Sequence, residues 1–177
     1  MRLLELKSDG SSGEIVVADH NGVYVIKMSG DVRLTLCIPF DNCIENLIER
    51  ENFDTILFDL NDASGLDSTT LGLIVKLAVK SKSKCQKSPL LLCKEPAIKR
   101  LIMTMGLDDV CELINDVPHS CCALYGEGNG FTALEPSRKA DESLLKSKIL
   151  ESHYALMELN KTNEETFKDL VQTLKDC

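Results

Sequence analysis

Several marks of common functional classes are missing from this sequence. No stretch approaches the roughly 20 apolar residues that a membrane-spanning helix needs, and Met1-Arg2-Leu3-Leu4-Glu5-Leu6-Lys7 is too short and too charged for a signal peptide. A soluble, cytoplasmic protein without a membrane association is expected. Basic residues are not in excess: 20 Lys and Arg stand against 28 Asp and Glu, a formal net charge of -8. A phosphate-binding surface needs a basic footprint, so nucleic acid is not expected as a partner. There is no CxxC pair and no His at zinc-ligand distance from a cysteine, so no metal site is assigned. GxGxxG and P-loop glycines are absent after every candidate strand, and neither HExxH nor GxSxG occurs. The chain is therefore read as a protein without cofactor and without catalysis of its own.

What is present is globular composition, with 44% hydrophobic and 27% charged residues in 177, enough for one core and an appendage. The eight cysteines (Cys37, Cys43, Cys85, Cys93, Cys111, Cys121, Cys122 and Cys177) lie mostly in apolar runs and read as reduced thiols filling a core. Cys121-Cys122 falls instead in a polar stretch. Lys76, Lys80, Lys82, Lys84 and Lys87 follow one another with no acidic residue between Asp67 and Glu95. Cations favour helix C-termini, so this cluster reads as a solvated helix end; an anionic ligand or lipid surface is the alternative use.

Glu14 to Asp19 and Val23 to Met28 are alternating β-branched runs joined by Asn21-Gly22, which predicts an antiparallel hairpin. Gly30-Asp31 breaks the pattern. Pro39 suits the first turn of a helix with Phe40, Ile44, Leu47 and Ile48 inward. Thr55 to Leu60 is a short apolar run, the signature of a strand buried on both faces. A helix over 69–81, a buried strand over 89–93 and a helix opened by Pro96 and stopped by Gly106 follow. That third helix turns Ile98, Leu101 and Ile102 inward, and Val110 to Ile114 supplies a last strand. The order predicts an α/β domain, a mixed sheet covered by helices, over residues 1–116. Pro118, Gly126, Gly128, Gly130 and Pro136 mark 117–140 as a linker. Residues 141–177 form an amphipathic helical extension.

Phe58-Asp59-Leu60-Asn61-Asp62-Ala63-Ser64-Gly65-Leu66-Asp67-Ser68-Thr69-Thr70-Leu71-Gly72 resembles the signature of the STAS family, in which a buried strand, a loop and Asp-Ser-(Ser/Thr)-Gly-Leu-Gly lead into a helix. The Gly30-Asp31 loop and Gly106-Leu107-Asp108-Asp109-Val110 also resemble family positions, so the likeness spans 14 to about 116. Thr70 departs from the pattern, standing where the best-known members have Gly. The resemblance implies a bacterial anti-sigma factor antagonist. Such a protein binds a kinase-type anti-sigma factor when unphosphorylated, loses it when the serine after Asp is phosphorylated, and is restored by a metal-dependent serine phosphatase. Carried over by position, Ser68 is the phosphoacceptor, and Asp31, Asp67, Ser68, Thr69, Thr70 and Gly72 face the partner. The residues alone also fit plain helix capping by Asp67, Ser68, Thr69 and Thr70, which is compatible with a switch at the helix tip. Asp59, Asp62 and Asp67 could hold Mg²⁺, but loop turns and a cap explain them as readily. The other readings are a STAS scaffold or transporter-associated regulatory domain with no phosphoswitch, and a nucleotide- or lipid-associated STAS protein using the lysines.

In the extension, Leu145, Ile149, Leu156, Leu159, Phe167, Leu170, Val171 and Leu174 recur at helical spacing, interrupted by Asn160 and Asn163. Thr162-Asn163-Glu164-Glu165 fits a capping box and divides the segment into two helices. The stripe must be covered, by the chain's own domain, as favoured for its first half, or by a second copy.

Overall fold

Asn21 and Gly22 turn the chain between β1 (Glu14–His20) and β2 (Val23–Val32), and both have positive φ, 50° and 83°. Two left-handed residues give a tight turn whose twist matches the flanking strands, which is what Asn-Gly supplies. The register runs from Glu14 opposite Ser29 to His20 opposite Val23. The computed structural model describes residues 12–50, 53–126, 130–137 and 141–176. Met1–Lys7, Gly128 and Cys177, considered above, lie outside them.

β2 continues through Gly30-Asp31, where the sequence predicts a break. The irregularity survives as register shifts against β3 (Thr55–Leu66) between Lys27 and Ser29 and between Gly30 and Asp31. A bulge absorbs an out-of-pattern residue without ending the ladder. For the same reason β3 outruns its apolar stretch: Asp62 to Leu66 pair in parallel with Ser29 to Val32. With β4 (Leu90–Leu92), β5 (Glu112–Ile114) and β6 (Thr132–Ala133) the sheet order is β5-β4-β3-β2-β1-β6, parallel from β2 to β5 and antiparallel at β1 and β6. The α/β mixed sheet predicted from the element order is the one observed.

Helices α1 (Cys37–Glu49), α2 (Ser68–Cys85) and α3 (Pro96–Thr104) contribute to one apolar core with Ile26, Met28, Phe58 and Leu60. α1 buries Phe40, Ile44, Leu47 and Ile48, the expected face. α3 buries Ile98 and Ile102 but leaves Leu101 partly exposed. On the other face of the sheet Ala18, Val25, Leu57 and Leu92 meet Cys121 and Leu124. The stretch read as a linker is thus partly folded. α4 (His119–Cys122) and the turn after it cover that face, and β6 pairs with β1. A sheet face that is apolar must be covered, and Val117, Cys121, Leu124 and Phe131 are the residues of this stretch that pack against it. Cys121 is therefore buried, and burial raises its thiol pKa; Cys122 stays exposed. All seven described cysteines are free thiols.

The extension is two helices, α5 (Glu142–Met157) and α6 (Lys161–Asp176). Asp141 caps the first, accepting from Ser143 N at 2.9 Å. Asn160, and not Thr162, caps the second, accepting from Asn163 N at 2.9 Å. α5 lies along α2 and α1, α6 folds back on α5, and Leu156 and Phe167 join the main core. Among the described residues no helix is long and apolar enough to cross a membrane.

Candidate functional site

The C-terminal ends of the parallel strands β2 and β3 bring Asp31 opposite Gly65 and Val32 opposite Leu66, and Asp67 N donates to Val32 O at 3.3 Å. This fixes where α2 begins. Asp67 is its N-cap: one carboxylate oxygen accepts from Thr70 N and from Thr70 Oγ1, each at 2.8 Å. The capping expected of this segment is thus performed by Asp67, as short oxygen side chains do for the free N–H groups of a first turn. It also accounts for Thr70, whose hydroxyl is spent on the cap. Thr69 and Thr70 are buried, at 5% and 3% exposure. Asp31 packs against Gly65, where a Cβ would overlap its carboxylate, and accepts from Arg33 Nε at 2.8 Å.

Ser68 starts the helix as expected, but its hydroxyl is not free at the surface. It lies 2.9 Å from His153 Nε2 on α5, and the residue is only partly exposed. The other ring nitrogen, Nδ1, lies 2.7 Å from Ile149 O. A carbonyl can only accept, so Nδ1 carries a proton, and in the neutral ring Nε2 accepts from the serine hydroxyl. One turn on, Gly72 is buried under α5: a Cβ there would overlap the Ser152 carbonyl. Of the six residues assigned to the partner surface, Asp31, Asp67 and Ser68 are partly exposed, whereas Thr69, Thr70 and Gly72 are buried.

Beside this contact lies a buried charge cluster. Asp41 of α1 is fully buried, with Lys76 Nζ of α2 at 2.6 Å and Lys148 Nζ of α5 at 2.8 Å. Lys76 also reaches Glu45 at 2.6 Å and Glu151 at 3.2 Å. Burial alone would lower the Lys76 pKa, but the hydrogen bonds to Asp41 and Glu45 outweigh it and the pKa rises. Lys148 is raised chiefly by its bond to Asp41, and Glu45 is lowered chiefly by the bond from Lys76. Next to them the Cys37 thiol is pushed up to about 12 by burial and then by the Asp41 charge.

Four of the five clustered lysines are engaged with protein partners. Besides Lys76, Lys80 pairs with Glu45 at 3.3 Å, Lys87 with Asp54 at 3.4 Å, and Lys84 donates to Ile48 O at 2.5 Å. The three acids weighed as magnesium ligands each have protein partners, Asp67 in the α2 cap. Asp59, buried on the opposite sheet face, accepts from Tyr125 Oη at 2.8 Å, and Asp62 pairs with Lys27 at 2.6 Å. Among the described residues no group of three His, Cys, Asp or Glu could hold a metal ion. A cavity of about 540 Å³ between α1 and β1–β2 includes no residue of the Ser68 site, and its Arg50 already bonds Asp19 and Tyr24.

His153, Ser152, Lys148 and Asp41 are site residues that the sequence reading missed. A signal existed for His153, which falls four residues after Ile149 and three before Leu156, on the buried stripe.

A mixed sheet with a capped serine at the C-terminal edge of its parallel strands defines the class as a small α/β module. The STAS-domain family model matches residues 14–119, more than half of the sequence, and the chain belongs to the STAS-domain family. Two solved structures share the fold. An anti-sigma factor antagonist from Mycobacterium paratuberculosis has 22% identity and a TM-score of 0.50 over 64% of this chain and 95% of that one. The phosphorylated form of the Bacillus cell fate determinant SpoIIAA has 15% identity and a TM-score of 0.51 over 64% and 99%. A search of curated proteins gives no match.

Proposed function

We propose that this chain is an anti-sigma factor antagonist of the partner-switching kind, a bacterial cytoplasmic binding protein and not an enzyme. It binds a kinase-type anti-sigma factor while Ser68 carries a free hydroxyl. The observation that carries the reading is the position of Ser68, directly after the cap Asp67 at the start of α2, inside the matched STAS region. The fold shared with an anti-sigma factor antagonist and with a phosphorylated cell fate determinant supports it.

In the modification, Ser68 Oγ attacks the γ-phosphorus of ATP, the bond to the β,γ-bridging oxygen breaks, and ADP leaves. The hydroxyl proton passes to a base of the kinase. The phosphate adds about -1.5 to -2 charges, which the positive end of α2 tolerates. A partner surface fitted to a neutral serine beside Asp67 then meets two adjacent anions, and like charges forced together at an interface cost several kcal/mol. A metal-dependent serine phosphatase restores the hydroxyl by hydrolysis: water takes the phosphoryl group, the Oγ–P bond breaks, Ser68 Oγ regains a proton and inorganic phosphate leaves.

Phosphopeptide mapping after incubation with ATP and the serine-kinase anti-sigma factor of the same organism tests this. Label is expected on Ser68 and absent from Ser68→Ala. Label on Thr69 or Thr70, or full binding of the Ser68 phosphoprotein, would overturn it. The competing reading, a STAS scaffold or transporter-associated domain without a phosphoswitch, is favoured by one observation: the Ser68 hydroxyl already has a partner within its own chain. An unlabelled Ser68 in every form of the protein would decide for it.

A further inference from the structure

The residue on which that function turns is covered by the chain's own tail. We propose that α5 and α6 form a built-in lid that occupies the partner surface of α2, and that a kinase or partner gains Ser68 only when α5 lifts away. The inference rests on the reading of Ser68 as the switch residue.

Three observations carry it. The first is steric: α5 crosses α2 so closely that Gly72 has no room for a Cβ beneath the Ser152 carbonyl, so no second chain can share that face while α5 is there. The second is chemical. With Nδ1–H committed to Ile149 O, His153 Nε2 needs the proton of the Ser68 hydroxyl. A phosphoryl group replaces that proton, so the Ser68–His153 hydrogen bond as it stands cannot survive the modification.

The third is the character of the attachment. The family match ends at residue 119, and two similar structures are covered to 95% and 99% while about a third of this chain has no counterpart in them. The lid is an addition to a module that exists without it. It is held by directional contacts across the seam: Lys148 on Asp41, Glu151 on Lys76, His153 on Ser68, and Asn163 Nδ2 on the carbonyl of Met105 (2.9 Å). Buried polar groups that lose one partner lose much of their reason to stay buried, so such a seam favours two discrete states.

The test uses the full chain with Ser68→Cys as a reporter and peptide-resolved alkylation by iodoacetamide as the readout. Two substitutions confined to α5 loosen the lid without touching the STAS surface. Lys148→Glu replaces the cation on Asp41 by a carboxylate, and Ser152→Phe leaves no room above Gly72. The thiol at position 68 is expected to react about tenfold faster or more when either is added. The deeply buried Cys111 should stay unreactive, showing that the module remains folded. Equal rates at position 68 with and without both lid substitutions would overturn the proposal. In a second arm, carrying the native Ser68, the anti-sigma kinase and ATP should phosphorylate Lys148→Glu faster than the unaltered chain. Equal phosphorylation of the two would overturn the lid as a gate. No phosphate on either would instead remove the assigned function, and the alkylation rates would still decide whether α5 covers position 68.

Discussion

The matched module and the tail helices are held in different ways. α2 buries Leu71, Leu73, Ile74, Val75, Leu77 and Ala78, an apolar face continuous with Phe58 and Leu60 of the central strand. The tail buries Ser152, His153, Leu156, Asn163, Phe167 and Val171, so half of its buried side chains are polar. Apolar burial is non-directional and scales with the area removed from water, whereas hydrogen-bonded and charged contacts hold only near one geometry. The module is built to persist, and the tail to be either docked or released. His153 shows the join of the two styles: its ring edge packs against Phe167, centroids 5.1 Å apart, while its nitrogens bond Ser68 and Ile149.

Substitutions in the two regions should therefore differ in kind as well as in size. The largest effect is expected for Phe58→Ala, which removes a fully buried ring from the central strand and should cost about 3–5 kcal/mol. Denaturant unfolding should show it as a loss shared by every probe. Leu156→Ala removes a fully buried tail side chain and should cost about 2–5 kcal/mol of docking. Here hydrogen exchange should rise in α5 and α6 and stay protected in β2 and β3; uniform loss of protection would erase the distinction.

Ser68→Ala should be milder, at about 1–3 kcal/mol, the cost of leaving a buried acceptor, His153 Nε2, without its donor. Histidine ring NMR would show the perturbed Nε2 directly, and an unchanged ring spectrum would count against the contact. The smallest effect concerns pH. The Lys148 pKa is raised above its ordinary 10.5 by its bond to Asp41, with burial opposing. Its contribution is therefore fully present below the unfolded value and lost as pH climbs through the folded one. Leu156 methyl resonances should hold steady through neutral pH and shift in the alkaline range beyond about 10.5, before those of Leu57 do.

Most of the fold was legible because local pattern and tertiary demand coincide. Asn21-Gly22 makes the turn it specifies, the Phe40–Ile48 stripe is the buried face of α1, and the apolar run at Thr55 is the central strand. β6 was hidden: two residues pairing with a strand over a hundred positions earlier leave no periodicity. The folded part of 117–140 was hidden too, since its glycines and prolines outweigh Cys121, Leu124 and Phe131, whose purpose appears only once the sheet face they cover exists. At the site, the motif placed Asp67 and Ser68 at the start of a helix. It said nothing of what lies over them. Asn163 looked like an interruption of a hydrophobic stripe, but it is a buried clasp that ties α6 to the ends of α3 and α5. A polar residue on an apolar face carries no mark of the carbonyls it will meet.

Native-state hydrogen exchange on the unmodified chain is the most direct test of the claim that the tail is a separable cover on the switch residue. The account predicts that amides of α5 and α6 exchange through one shared opening whose free energy lies well below that of β2 and β3. A single free energy across tail and sheet alike would mean that α5 leaves Ser68 only when the whole protein unfolds, and would contradict it.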